Sequence, residues 1–199
     1  MDLVLATNNS DKIREIKELL KGLPVNVKTK DDFEYFPDVE ETGETLEENA
    51  LLKANAIHKL TGMVALADDS GLEVDYLDGA PGVYSSRYAG EGCTYADNNR
   101  KLLAALAGVP QAQRGARFRC VIAIVWEDGT NNLAEGSAEG YITEEVGGRE
   151  GFGYDPVFFY PHTGQRFSEM TLEEKNGVSH RGLALKGAAY LIRERLGLL

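Results

Sequence analysis

Leu3-Val4-Leu5-Ala6-Thr7, then Asn8-Asn9-Ser10, then Asp11 to Leu20 with apolar residues at Ile13, Ile16, Leu19 and Leu20, read as buried strand, tight turn and helix. Gly22 and Pro24 end that helix, and Val25 to Val27 suggests a second strand. Thr45, with Glu48 three residues on, has the pattern of a capping box opening a helix that runs to about Leu60. Val64 to Ala67 predicts a buried strand that ends on Asp68-Asp69-Ser70-Gly71. A Gly/Pro-rich loop, Gly79 to Gly92, leads to a helix from about Tyr95 to Ala107. Phe118 to Trp126 and Asn132 to Tyr141 pair as antiparallel strands joined at Asp128-Gly129. Val157 to Tyr160 adds a short strand, and a last helix starts at Ser179 or His180 and runs to about Leu196. Strands and helices mix without a repeat or a composition shift. The expectation is an α/β protein with a mixed sheet and two lobes, residues 1–199 forming one domain.

Hydrophobic residues make up 43% of the 199, the share of a globular chain. No apolar run approaches the ~20 residues that span a bilayer, and Leu3 to Ala6 is too short for a signal segment. The cytoplasm is the expected location, with no membrane partner. Cys93 and Cys120 are the only cysteines, so no disulfide framework or zinc cluster is indicated. A net charge of −11 argues against a nucleic-acid polymer, which is held by many cation–phosphate contacts. A small polyphosphate needs only a few local cations, so it stays open.

Five segments carry candidate chemistry. Thr7-Asn8-Asn9-Ser10-Asp11-Lys12 turns from strand to helix, where free backbone N–H groups and the positive dipole end suit a phosphate. Taken alone, an N-cap and a surface lysine explain it better. Glu40 and Glu41 precede a helix on which Asn49 and Lys53 share a face, so carboxylates and a cation can meet there. The same acids also complement the helix dipole, which is the better reading for Glu44, Glu47 and Glu48. Asp68 and Asp69 are adjacent carboxylates at a strand end, where α/β proteins collect ligands, and hard oxygens suit Mg²⁺ and thereby a triphosphate. Asp-Ser-Gly is also an ordinary turn. Gly151-Phe152-Gly153-Tyr154-Asp155-Pro156 alternates glycines with rings, so Phe152 or Tyr154 can stack on a planar ligand while Asp155 accepts from it. Taken alone, a structural turn with core aromatics is the better reading. Finally, Lys175 lies upstream of Ser179-His180-Arg181, where Ser179 can cap the last helix. Cations are disfavoured in a first helical turn, so His180 and Arg181 point to a nearby anion or carbonyl.

In their order and spacing these segments, with Gly79-Ala80-Pro81-Gly82-Val83-Tyr84-Ser85, resemble the inosine triphosphate pyrophosphatase family, the XTP/dITP diphosphatases. The match runs from Leu3 to about Arg195. The resemblance implies a two-lobed α/β fold on a long mixed sheet, with flanking helices, a substrate cleft between lobes and a homodimer. It also implies Mg²⁺-dependent cleavage of ITP, dITP or XTP to the nucleoside monophosphate and pyrophosphate, which cleanses the nucleotide pool. On that resemblance Asp69 is the general base and a metal ligand, with Glu41 and Glu40 as further ligands. Lys12 and Lys53 stabilise the leaving pyrophosphate, and Ser70 holds phosphates. Phe152 stacks on the base, Asp155 holds the ring, and Lys175, His180 and Arg181 donate to purine O6. The family often has Gly where Asn8 stands. Rival readings are a pyrophosphatase for pyrimidine nucleotides, a nucleotide sensor that does not hydrolyse, and a structural protein. His180-Arg181 speaks against the first, and Asp69 with Lys53 against the second.

Overall fold

The computed structural model describes residues 1–199 as an eight-stranded mixed sheet with five α-helices. The strands are β1 Asp2–Leu5, β2 Asn26–Lys28, β3 Val64–Val74, β4 Pro81–Gly82, β5 Gly115–Val125, β6 Asn131–Ile142, β7 Phe158–Tyr160 and β8 Gln165–Arg166. The helices are α1 Ser10–Leu19, α2 Leu46–Thr61, α3 Tyr95–Ala105, α4 Leu172–Val178 and α5 His180–Arg195. The sheet order is β2-β1-β3-β5-β6-β7-β8, and β4 pairs with β3. β1 pairs in parallel with both β2 and β3, while β6, β7 and β8 pair antiparallel. No helix is long and apolar enough to cross a membrane. Cys93 and Cys120 are both free thiols.

The chain divides into two compact units. The first comprises Met1–Asp69, Cys120–Gly136 and Arg181–Leu199. Its core joins Leu3 and Leu5 of β1, Val64 and Leu66 of β3, and Ile122 and Ile124 of β5 to Ile16 of α1 and Leu185 and Ile192 of α5. Val4, Ala65 and Ala67 are also fully buried, as are Ala50 and Ala54 of α2. A strand covered on both faces needs an unbroken apolar run, which explains why Val64 to Ala67 shows no polar alternation. The second unit comprises Ser70–Arg119 and Ser137–His180. Its core packs Leu72, Leu102, Leu106 and Ile142 with an aromatic cluster, in which Phe118 lies 4.7 Å from Phe158 and 5.9 Å from Phe167 between ring centroids. Arg114 is buried there without a carboxylate, donating instead to the carbonyls of Leu106, Ile142 and Thr143.

Two local expectations are corrected, and one helix is added. β3 does not stop at Ala67 but continues to Val74, so Asp68 and Asp69 lie inside the strand. Pairing with β1 does end at Leu66, where Ala6 N donates to its carbonyl at 2.8 Å, so the carboxylates sit just beyond the neighbouring strand. Thr45 caps α2 by accepting from Glu48 N, but Glu48 turns its carboxylate to Glu44 N, one residue short of a reciprocal box. Thr171-x-x-Glu174 opens a helix, α4, that no apolar period announces.

Candidate active site

Alternation along β3 sends Asp68 and Asp69 to opposite faces. Asp68 shares its face with Val64 and Leu66, which pack with residues of α1 and α5, and its partners come from those two helices. Lys12 Nζ of α1 lies 3.0 Å from Asp68 Oδ2, and Arg181 Nε of α5 donates to the same oxygen at 3.1 Å. The Arg181 guanidinium also binds Glu15 of α1. Asp68, Arg181 and Glu15 are all buried. Burial alone would raise the Asp68 pKa, but Lys12, Arg181 and Lys53 outweigh it and hold the carboxyl well below the usual range. The anion that His180-Arg181 called for is therefore present within the protein, as Glu15 and Asp68.

Asp69 faces the other way and meets α2. Lys53 Nζ lies 2.9 Å from Asp69 Oδ1 and 2.7 Å from Glu41 Oε1, so one ammonium gathers two carboxylates. Burial disfavours that ammonium, yet Asp69 and Glu41 beside it hold it above the ordinary lysine range. For Asp69 burial is the dominant influence and lifts its pKa, with Lys53 and Lys12 opposing and the Glu41 charge adding to the rise. Glu41 is brought in by the turn before α2. Gly43 N donates to Asn49 Oδ1 at 2.8 Å, and Asn49 is fully buried on α2 one turn before Lys53. Glu40 is exposed.

The phosphate-loop candidates sit in the same unit. Asn9 caps α1, its Oδ1 accepting from Asp11 N at 2.9 Å and Lys12 N at 3.1 Å, while Thr7 Oγ1 accepts from Asn9 N. The N–H groups of Asn9, Asp11 and Lys12 are thus met by side chains rather than left free, which corrects the expectation for this turn. Asn8 donates to Asp38, and Ser10 is the first residue of α1.

The second unit holds the remaining candidates, beginning with Ser70, half-buried in β3. Lys175 of α4 is buried, with Nζ 2.7 Å from Asp155 Oδ2 and 4.6 Å from the Phe152 ring centroid. Asp155 Oδ2 also accepts from Phe152 N at 2.9 Å. The carboxylate thereby ties the ring and the cation together. Gly151 takes φ +79, and a Cβ there would strike the Asp155 carboxylate, so this turn requires glycine. Gly153, at φ +62, completes the bend. Tyr154 belongs to the core, its hydroxyl donating to Ser85 O at 2.8 Å, which leaves half-buried Phe152 as the available stacking face. His180 is buried and stacks on Phe118, centroids 4.5 Å apart at 8°.

Glu15 carries no signal of its role in the sequence, and Asp68, a candidate metal carboxylate there, meets cations of the protein instead. Glu15 and Asp68 complete the ion network around Arg181, and a partner 166 residues away leaves no local trace. The missed helix α4 had its signal in Thr171 and Glu174.

The chain is similar to known proteins. The chain is 54% identical over 192 residues, 96% of each chain, to the dITP/XTP pyrophosphatase of Desulforamulus reducens. It is 50% identical over 191 residues, 96% of this chain and 97% of the other, to the one of Bacillus licheniformis. These similarities and the carboxylate–lysine site define an enzyme, a hydrolase of the nucleoside triphosphate pyrophosphatase class. The Ham1 family model matches residues 3–190, and the chain belongs to the Ham1 family. Among solved structures it resembles a HAM1 protein from Coxiella burnetii, with a TM-score of 0.89 and 43% identity over 98% of this chain and 99% of that one. The Ham1 protein of Staphylococcus aureus gives 0.88 and 37%, over 98% and 100%.

Proposed function

We propose that the enzyme hydrolyses ITP, dITP and XTP between the α- and β-phosphates, releasing the nucleoside monophosphate and pyrophosphate and so cleansing the nucleotide pool. The observation that carries this reading is Lys53 bridging Asp69 and Glu41, a cation and a raised-pKa carboxylate held together at a strand whose opposite face is charged as well. The names of the relatives favour the substrate choice.

Asp69 accepts a proton from the attacking water, whose oxygen bonds to the α-phosphorus as the bond to the bridging oxygen breaks. Lys53 and Lys12 meet the charge that builds on the departing pyrophosphate. Thr7, Asn8, Asn9, Ser10 and Asp11 shape the turn that receives the phosphates, and Ser70 adds a hydroxyl. Glu41 and Asp69 fit a Mg²⁺ ion. They are hard oxygen donors gathered on one ammonium. Mg²⁺ takes one or two carboxylates and completes its shell with water and substrate phosphates. Exposed Glu40 is the further candidate ligand. When bound, the ion would neutralise phosphate charge and orient the triphosphate.

The second unit supplies groups suited to a base. Phe152 stacks, Gly153 and Tyr154 set the bend, Asp155 holds ring and cation, and Lys175 and His180 donate to O6, while Arg181 of the first unit stays on Glu15 and Asp68. Adenine presents an amino donor where hypoxanthine and xanthine present a carbonyl, and such a mismatch of buried polar groups discriminates on the order of 10⁴-fold. In this proposal residues 1–199 act as a single domain. A cytoplasmic homodimer completes the proposal.

The deciding assay follows pyrophosphate release from ITP, dITP, XTP, GTP and ATP with Mg²⁺, and again after chelation. Release is expected from the first three, weakly from GTP and ATP, and falls to background without the metal. No release from ITP would sink the hydrolysis, whereas equal rates for ITP and ATP would remove only the base choice.

A further inference from the structure

We propose that Asn99 is a positioning residue for the base-stacking loop, acting through Phe152; this rests on the role given to Phe152 above. Asn99 lies on α3, one turn after Tyr95, so the two share a face. Its Nδ2 donates to Gly153 O at 2.8 Å and to Tyr95 O at 3.0 Å, using both amide hydrogens. Those two carbonyls fix the orientation of the amide, since the flipped form would set oxygen against oxygen. The Tyr95 ring meets the Phe152 ring with centroids 6.0 Å apart. Helix α3 therefore grips the Phe152-Gly153 segment twice, by an aromatic contact and by a hydrogen bond to its backbone.

The grip matters because of what surrounds the loop. A groove of about 500 Å³ runs along it, lined by Tyr95, Asn99, Leu103, Val146, Phe152 and Pro156. On this side the loop is not backed by close-packed side chains. Gly151 and Gly153, both at positive φ, allow it several backbone paths. Asp155 fixes the loop from Phe152 N, and Asn99 fixes the next carbonyl along. Position 99 is otherwise a poor place for an amide. It is only 4% exposed, and no protein group meets its Oδ1. A buried acceptor left so is destabilising, and a leucine would avoid it. The amide is understandable as the price of holding Gly153.

The test is a double-mutant cycle with Asn99→Leu and Phe152→Ala, measuring kcat, KM for ITP and Tm for each protein. Asn99→Leu is expected to raise KM five- to tenfold while kcat changes less than twofold and Tm hardly moves. In the Phe152→Ala background the same substitution is expected to have no further effect on KM, because the ring it positions is gone. Asn99→Gln, which keeps the donor on a longer arm, should recover part of the loss. A KM penalty that persists undiminished without Phe152, an unchanged KM, or a fall in kcat that tracks Tm would each overturn the proposal. Should Phe152→Ala itself leave KM unchanged, the stacking role fails first, and the two failures are distinct.

Discussion

An ammonium that meets two carboxylates keeps a counter-charge when one of them becomes an amide. Lys53 is in that position between Asp69 and Glu41. Asp69→Asn preserves side-chain shape and leaves Glu41 on the lysine, so Tm is expected within a few degrees of the parent. Turnover is expected to fall at least 10²-fold, the scale of losing a general base. Near-parental turnover by that variant would rule out Asp69 as the base. Lys53→Met has the opposite balance, because it strands two carboxylates around a buried apolar chain. Removing one partner from a buried ion pair costs about 3–5 kcal/mol, so here a large loss of Tm should accompany the loss of activity. Thermal melts beside steady-state rates separate the two residues: one carries chemistry on a sound fold, the other carries both.

At the scale of elements, the turn before α2 works as a clamp. Gly43 and Asn49 hold each other across six residues, and this places Glu41 beside Lys53. A Cβ on Gly43 would lie 2.7 Å from Asn49 Oδ1 and 2.7 Å from Glu48 Cβ, so the turn must shift to admit it. Gly43→Ala is therefore expected to displace Glu41 and to raise the Mg²⁺ concentration for half-maximal rate several-fold, with the rate at saturating metal nearly restored. An unchanged metal requirement would detach this clamp from the metal. Much of this region is legible in the sequence. Thr45 marks the start of α2, and the i, i+4 spacing of Asn49 and Lys53 puts both on the face that meets β3. What the sequence hides is long-range or is masked by local chemistry. Glu15 sits on an amphipathic helix among charged neighbours and looks solvated until Arg181 arrives from the far end of the chain. Asp68-Asp69-Ser70-Gly71 has the composition of a turn, yet it continues as strand because lysines and an arginine satisfy the carboxylates on both faces. Asn99 reads as one more polar helix residue, since its bond to Gly153 spans 54 positions.

For the whole molecule, 32 acidic and 21 basic residues suggest that acid stability is a matter of bulk charge. Burial says otherwise. Most of the acids are solvated, and few carboxylates are both buried and paired, Asp68 chief among them. Its pKa is lower in the folded chain than the ~3.9 of an unfolded aspartate. Such a group contributes stability at pH values above its unfolded pKa, and that contribution is lost as pH falls toward the folded one. The loss runs at about 1.4 kcal/mol per pH unit, the free-energy equivalent of one pKa unit. Asp68→Asn should thus cost about 3–5 kcal/mol at pH 7, where Lys12 and Arg181 lose their shared anion. Between pH 4 and 2.5 the gap to the parent should narrow by about 2 kcal/mol, because only the parent loses stability by protonating this group on unfolding. Exposed Glu34→Gln should follow the parent throughout. Urea unfolding at each pH reads the gap directly. If the difference between Asp68→Asn and the parent stayed constant from pH 7 to 2.5, the carboxylate would not be the acid-sensitive member of the network. The stability of the fold would then depend on the shape of that side chain rather than on its charge.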